Sequence, residues 1–213
     1  MATIRCIQSE WTGEPLPRSN HAVTWCWVEA QRLHLGWVSP TYGDPAPPLP
    51  AGRTPRLWTF EVLEFFVGFG GTRYLEVEFG PHGHHLDLSF DTIRRAKEDV
   101  HPVAYTSTRR GRWWSGTATV HLPDDAALPQ RTISVAIHGS GDARRWCQSQ
   151  ALPGDRPDFH QPEHWAPAIG VGRRPSVEDW DSICMMLDLT KHPMPDPCIW
   201  GASLLPLLDE RTS

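Results

Sequence analysis

The segment from residue 57 to residue 90 constrains the fold most strongly, because it contains three extended stretches joined by two glycine-containing turns. In the second stretch, residues 73–79, apolar side chains alternate strictly with polar ones, a period of two that is typical of β-strands. The third stretch, residues 84–90, alternates in the same way. Consecutive strands with short turns predict an antiparallel meander, with one face in a core and the other available to water or ligand.

The first stretch, residues 59–67, is apolar on both faces, which predicts a central strand that is covered on both sides. It carries two carboxylates, Glu61 and Glu64, and an unpaired buried charge is costly. The period of two places them on opposite faces, so we do not expect a paired acid and base. One of them is explained as a structural carboxylate held by an arginine or by backbone donors. Alternatively, Glu64 points into a groove and binds a ligand.

Tryptophan and proline are unusually frequent, with 11 and 21 residues, respectively. Proline limits helices and favours strands joined by loops. We interpret the proline-rich residues 39–56 as a semi-rigid loop that crosses a β-sandwich, rather than as a ligand for proline-binding modules, because strong strand patterns flank them. Tryptophan can fill a sandwich core, and it is also the side chain best suited to stack on a sugar ring.

The chain has 213 residues, which suits one large domain or a domain with a tail. We predict a β-sandwich domain over residues 1–169 and, packed on it, a short extension over residues 170–213 that is partly helical or irregular. The net charge of −5 and the pI of about 6.1 give no electrostatic reason to expect nucleic acid or an anionic membrane as a partner. No apolar run approaches the roughly 20 residues of a membrane span.

The five cysteines are scattered and include no C-x-x-C pair, so we expect inert thiols rather than disulfides or a zinc ribbon. The beginning of the chain lacks the pattern of a signal peptide. Together these features predict a cytoplasmic protein. The sequence leaves the oligomeric state open.

Further alternating segments extend the predicted sheets on both sides of the meander. In residues 131–138, we expect the apolar Ile133, Val135 and Ile137 to face inward and the residues between them to face outward. Residues 91–98 are strongly charged and are predicted as a helical turn or an exposed loop.

Two groups of histidines lie beside acidic residues, one around Gly83 and one at His160 and His164. Neither group matches a metal-binding template such as H-E-x-x-H, so we expect hydrogen-bonded or surface histidines. We therefore predict neither a metal ion nor a cofactor. The sequence HGSG at residues 138–141 is not the G-x-S-x-G motif of a hydrolase, and it is more simply a turn between two strands.

Aromatic side chains accompany polar groups at two places. Trp58 lies six residues before Glu64, and Trp146 is followed by Gln148 and Gln150. An aromatic ring beside carboxylate and amide groups is what binding a polyhydroxylated ligand requires. Trp58 has a second interpretation, in which it closes the core at the point where the strand begins.

Five short motifs resemble an uncharacterised family found in bacteria and animals. The motifs are DPAPP at residue 44, LWTFEVLEFF at 57, YLEVEFGPHG at 74, AIHG at 136 and PDFH at 157. That family is similar in turn to the DOMON-like, family 9 carbohydrate-binding modules, so the resemblance implies an all-β fold, an antiparallel β-sandwich. In the sugar-binding members, a tryptophan six residues ahead of the motif glutamate stacks on the ligand, and the glutamate bonds hydroxyl groups. These roles fall on Trp58 and Glu64, while Trp146 and Trp165 are both candidates for a second stacking tryptophan.

We therefore predict a non-catalytic binding domain for a small saccharide or a similar polar ligand. The predicted ligand-binding residues are Trp58, Glu61, Glu64, Glu76, His138, Trp146 and His160. The alternative is a small-metabolite enzyme, an isomerase, cyclase or hydrolase, that uses carboxylates and imidazoles on the same scaffold. Its candidate residues are Glu64, Glu76, His85, His138 and His160. A further option is an interaction protein that uses exposed tryptophans and the proline-rich loop.

Overall fold

The computed structural model describes residues 3–97, 101, 103–122, 126–169 and 176. These residues form fourteen β-strands and four short 3-10 turns, and no α-helix occurs among them. The described part therefore contains no helix that is long and apolar enough to cross a membrane. The extension predicted over residues 170–213 lies outside the described residues, apart from Ser176.

The strands follow one another along the chain with mostly short connections. They are β1 (Thr3–Ile7), β2 (Ser9–Glu10), β3 (Ala22–Glu29), β4 (Arg32–Pro40), β5 (Gly52–Arg53), β6 (Val62–Gly70), β7 (Arg73–Phe79), β8 (His84–Thr92), β9 (Arg95–Ala96), β10 (Val103–Arg110), β11 (Trp113–His121), β12 (Arg131–His138), β13 (Arg145–Gln148) and β14 (Ala166–Pro167). The 3-10 turns are Arg18–Asn20, Leu57–Thr59, Gly141–Ala143 and Pro162–His164.

The strands form two sheets. The five-stranded sheet has the order β1-β3-β4-β11-β10. The nine-stranded sheet has the order β2-β13-β12-β6-β7-β8-β5, with β14 beside β12 and β9 beside β8. All pairs are antiparallel except β5 with β8, and both β5 and β9 lie along the side of β8 opposite β7. The predicted all-β antiparallel sandwich is confirmed, and β6 is central, as its two apolar faces predicted.

The main core lies between the two sheets. Alternate residues of β6 and β7, including Phe65 and Phe79, reach it, and the buried Trp37 of β4 stacks on the Phe79 ring with 4.6 Å between centroids. Trp114 of β11 meets Trp37 edge-on at 5.3 Å. Two of the many tryptophans, Trp37 and Trp114, therefore fill the sandwich core.

Gly116 of β11 leaves the space that this packing needs. A Cβ atom at this position would overlap the Trp37 indole and would lie 2.6 Å from the carbonyl oxygen of Thr106 on the neighbouring β10. In the same way, a Cβ atom at Gly36 of β4 would overlap the Trp25 indole. Glycine weakens a strand by itself, so its use at these two positions reflects packing against indoles.

A second apolar layer covers the outer face of the nine-stranded sheet, which is the face turned away from the five-stranded sheet. The covering segment, residues 149–165, packs on this face through Phe159 and Trp165. The sheet is thus buried on both sides, and its outer face is closed by a loop rather than by a third sheet.

The covering segment explains why the direction predicted for residues 131–138 was wrong. Ile133, Val135 and Ile137 lie on the outer face under the covering segment, whereas Ala136 faces the five-stranded sheet. The alternation itself was predicted correctly. A row of apolar side chains shows that one face of a strand is buried, but it does not show which side of the sheet that face belongs to. The charged stretch after residue 90 was predicted as a helical turn or an exposed loop, and it is exposed as the end of β8 and β9, which form a small hairpin.

Candidate functional site

A cavity of about 490 Å³ opens on the outer face, between the nine-stranded sheet and the covering segment. Its aromatic lining comes from Trp58, Phe66, Phe90, Trp146 and Phe159. Its polar lining comes from Glu64, Glu76, Arg94 and His160. A volume of this size, with mostly apolar walls and a few polar groups, is typical of a small-molecule site.

Trp58 lies at the mouth of the cavity and is 40% exposed. It belongs to the 3-10 turn Leu57–Thr59, in which Leu57 is the residue that fills the core. The Arg144 guanidinium fixes this turn by donating to the backbone carbonyls of Trp58, Thr59 and Phe60. The interpretation of Trp58 as a residue that closes the core therefore does not hold.

The structure separates the two candidates for a second tryptophan at the site. Trp146 of β13 is partly exposed and lines the cavity. Trp165 is fully buried, and its Nε1–H donates to the carbonyl oxygen of Phe159 at 2.9 Å. Trp146 therefore accompanies Trp58 at the cavity, whereas Trp165 anchors the covering segment.

Three glutamates form the floor between β6 and β7. Glu64 lies directly opposite Glu78 in the antiparallel register, and Glu76 follows two residues away on the same face. Carboxylate oxygens of all three lie within 4.8 Å of one another. The three side chains are almost completely buried, with Glu64 2% exposed, Glu76 4% and Glu78 0%.

Burial dominates the ionisation of these glutamates. It raises the pKa of Glu76 to about 7, while hydrogen bonding with Glu78 and the charge of Arg94 act in the opposite direction. The pKa values of Glu64 and Glu78 are raised well above the usual range, first by burial and then by the neighbouring carboxylates. Burial and the neighbouring carboxyl groups both disfavour ionisation, so the cluster costs stability when its members are charged.

His160 enters the cavity from the covering segment. Its Nδ1 hydrogen-bonds to the Tyr74 hydroxyl at 2.7 Å, and the same hydroxyl oxygen accepts the Arg94 backbone N–H at 3.0 Å. Its Nε2 lies 3.8 Å from a carboxylate oxygen of Glu76. Burial, followed by the charge of Arg94, lowers the pKa of His160 to about 4. The imidazole is therefore neutral at pH 7 and offers a hydrogen-bonding group rather than a charge.

Glu61 and His138 do not lie at the cavity. The Glu61 carboxylate accepts the backbone N–H groups of Tyr42 at 3.0 Å and Asp44 at 3.1 Å. The His138 ring stacks on the Tyr42 ring at 3.4 Å with 3° between the planes. The structure thus gives both residues a role in holding the loop at residues 42–44. This agrees with the structural alternative for Glu61 and does not support ligand contact by either residue.

Strand alternation explains their position. In β12, Ile137 lines the cavity, so the next residue, His138, points to the other side of the sheet. The histidines around Gly83 are also away from the cavity, and hydrogen bonds hold His82 and His84 to the backbone carbonyls of Asp44 and Leu49.

His138 makes folding stability dependent on pH. Burial is the main cause that lowers its pKa to about 4, and the charge of Asp44 offsets this only in part. An unfolded histidine has a pKa of about 6.5, so the unfolded chain binds more protons between these two values. This contribution to stability is complete above about pH 6.5 and is lost as the pH falls toward 4. We expect His138→Gln to remove about 2 kcal/mol of this pH dependence.

Urea unfolding of both proteins at pH 7 and pH 4.5 measures this effect. The other titrating groups are common to the two proteins, so their contributions cancel in the difference. An equal loss of stability on acidification in both proteins would mean that His138 is not the group responsible.

Several residues of the site carry no recognisable signal in the sequence. Glu78 is visible in the alternation of β7, but its register opposite Glu64 requires the sheet pairing. Arg94, Phe159 and Arg144 approach the site from loops or short strands far away in sequence. No local pattern marks such residues.

No family model matches the chain. The mouse (Mus musculus) UPF0462 protein C4orf33 homolog is 33% identical over 172 residues, which cover 76% of this chain and 88% of the mouse protein. The human (Homo sapiens) UPF0462 protein C4orf33 is 36% identical over 138 residues, which cover 60% of this chain and 68% of the human protein.

Two solved structures are similar to this chain to different degrees. A candidate carbohydrate-binding protein from Bacteroides uniformis superposes with a TM-score of 0.60 at 15% identity, over 78% of this chain and 85% of that chain. A family 9 carbohydrate-binding module from Caldicellulosiruptor kristjanssonii, solved in complex with cellotriose, gives a TM-score of 0.45 at 9% identity, over 70% of this chain and 72% of that chain. The first likeness supports the sandwich fold. The identity to the mouse protein, over most of both chains, shows that this chain belongs to the UPF0462 family.

Proposed function

We propose that this protein is a binding domain for a small saccharide or a similar polar ligand, held in the outer-face cavity. One observation carries the proposal: two indoles, Trp58 and Trp146, line the same cavity as the carboxyl groups of Glu64 and Glu76. A sugar ring has a flat apolar face that stacks on an indole, and its hydroxyl groups need hydrogen-bonding partners in the same pocket.

The placement of the residues supports this use of the cavity. Arg144 holds the backbone of the turn that carries Trp58, so this part of the cavity mouth is ordered before a ligand arrives, which lowers the entropy cost of binding. The carboxyl groups lie at the floor, and His160 adds a neutral hydrogen-bonding group at one wall. Apolar contact at the entrance and polar contact at depth together suit a ligand with both kinds of surface.

The enzyme alternative has weaker support. Of its candidate residues, Glu64, Glu76 and His160 line the cavity, but His85 and His138 do not. The five candidate residues of the enzyme alternative therefore do not lie together in one site.

Titration of tryptophan fluorescence, or calorimetry, against a panel of mono- and disaccharides tests the proposal. We expect saturable binding by the unmodified protein. We expect Trp58→Ala and Trp146→Ala each to weaken it about tenfold or more, since losing a stacked ring costs roughly 1.4 kcal/mol or more.

Trp113→Ala is the matched control. Trp113 is a partly buried tryptophan of the five-stranded sheet and lies outside the cavity. Its replacement should leave the affinity unchanged. Absence of saturable binding across the panel, or equal weakening in all three variants, would contradict the proposal.

A further inference from the structure

The glutamate floor has an unusual electrostatic composition for the middle of a sheet. Two of its members face each other across the strand pair, and no lysine or arginine among the described residues forms an ion pair with any of the three. The nearby Arg94 is paired with Asp158 at 2.7 Å, and Arg144 donates to backbone carbonyls. The fold thus brings three acidic groups together and directs the nearest basic groups elsewhere.

The hydrogen bonding of the floor is also incomplete. Apart from the contact between Glu76 and Glu78, neither carboxylate oxygen of Glu78 nor Oε2 of Glu76 has a hydrogen-bond partner among the described side chains, although both side chains are more than nine-tenths buried. The backbone N–H of Trp58 lies near Glu78 and offsets part of the cost of burying its carboxylate. Buried polar groups are almost always satisfied, and a cation held between these three carboxylates would supply the partner that the unpartnered oxygens lack.

We infer that Glu64, Glu76 and Glu78 bind a divalent metal cation at the floor of the cavity. Oxygens within 4.8 Å of one another can all contact one ion, since metal–oxygen distances are roughly 2.0–2.6 Å. Three carboxylates form a hard, all-oxygen ligand set, which suits Ca²⁺, Mg²⁺ or Mn²⁺.

The site has a closed side and an open side. Glu78 does not line the cavity, whereas Glu64 and Glu76 do. Coordination positions on the cavity side are therefore available to water or to ligand hydroxyl groups. The sequence led us to expect no metal, because the histidine groups matched no template. The register that places Glu64 opposite Glu78 could not be read from either strand by itself.

Mn²⁺ is the probe for this inference, because its free form is measured directly by electron paramagnetic resonance. The full chain, freed of metal with EDTA, should take up about one Mn²⁺ per molecule. The melting temperature should rise by about 5–10 °C at roughly 100 times the dissociation constant. Repeating the melting measurements with Ca²⁺ and Mg²⁺ in place of Mn²⁺ ranks the three ions by affinity. Absence of saturable Mn²⁺ uptake and of any shift in melting temperature would overturn the inference.

Glu78→Gln is the decisive variant because Glu78 does not line the cavity. We expect it to weaken Mn²⁺ binding at least tenfold while leaving the metal-free melting temperature unchanged or higher, because a neutral amide replaces a buried ionisable group. A variant that folds and still binds Mn²⁺ with unchanged affinity would refute the assignment. Glu163→Gln, at an exposed glutamate, is the control and should leave Mn²⁺ binding unchanged.

The cation site and the saccharide site are tested separately. Mn²⁺ uptake without any saccharide binding would support the cation site and remove the proposed function. Saccharide binding that is unaffected by EDTA, together with no Mn²⁺ uptake, would support the proposed function and remove the cation site. A saccharide affinity that increases on adding Mn²⁺ to the EDTA-treated protein is the result expected if both are correct.

Discussion

Replacement of Trp165 by alanine is expected to lower the free energy of unfolding by about 3–5 kcal/mol. The indole is fully buried, and its ring contacts Phe66 and Tyr74 with centroids 5.5 Å and 5.4 Å away. Truncation leaves a void under the covering segment, and the Phe159 carbonyl loses its donor. Urea or thermal unfolding of the two proteins measures the difference.

Trp165→Phe separates the packing from the hydrogen bond. It keeps most of the ring contacts and loses only the N–H donor, so we expect a smaller cost of about 1–2 kcal/mol. A loss below about 1 kcal/mol for Trp165→Ala would show that the covering segment is not held by this indole.

Gly116→Ala is expected to destabilise the protein by about 3 kcal/mol, although it adds a single methyl group. The added carbon would overlap the Trp37 indole and crowd the carbonyl oxygen of Thr106. Trp37 is fully buried and packs against both Phe79 and Trp114, so moving its indole would disturb these contacts. For a chain of this size, the melting temperature should fall by about 6–12 °C.

Gly68→Ala provides the matched control for this substitution. Gly68 also lies within a strand, and an added Cβ atom would make ordinary contacts, the nearest being 3.4 Å from the Trp165 ring. We expect it to change stability by less than about 1 kcal/mol. Equal effects of the two substitutions would indicate a general cost of removing glycine from a strand rather than a steric clash at Gly116.

Much of the fold could be predicted from sequence, because local periodicity reports strands directly. The meander of β6, β7 and β8 followed from alternation between glycine-containing turns, and the central position of β6 followed from its two apolar faces. What alternation does not report is which layer covers each face. For this reason Ile133, Val135 and Ile137 were assigned to the wrong side of the sheet.

Part of the candidate site could also be predicted, from strand periodicity and from the family resemblance. Glu64 could be assigned to a central strand and Glu76 to the polar face of the next strand, and the family resemblance pointed to Trp58. Whether these residues bind a ligand stays a prediction. The choice between Trp146 and Trp165 depends on how the chain returns over the sheet, which is a long-range contact without a local signal. Glu61 and His138 were included for residue type, and strand direction places them on the opposite side.

The pairing of β8 has a consequence for how the molecule behaves at high concentration. Along one side, this nine-residue strand is met among the described residues by β5 and β9, which are two residues long each. An open strand edge of that length invites pairing with other molecules and hence aggregation. The loop that carries β5 is rich in proline, which lacks the N–H donor needed to continue a sheet. It therefore protects this side of the sheet from pairing with other molecules, and none of its residues lines the outer-face cavity.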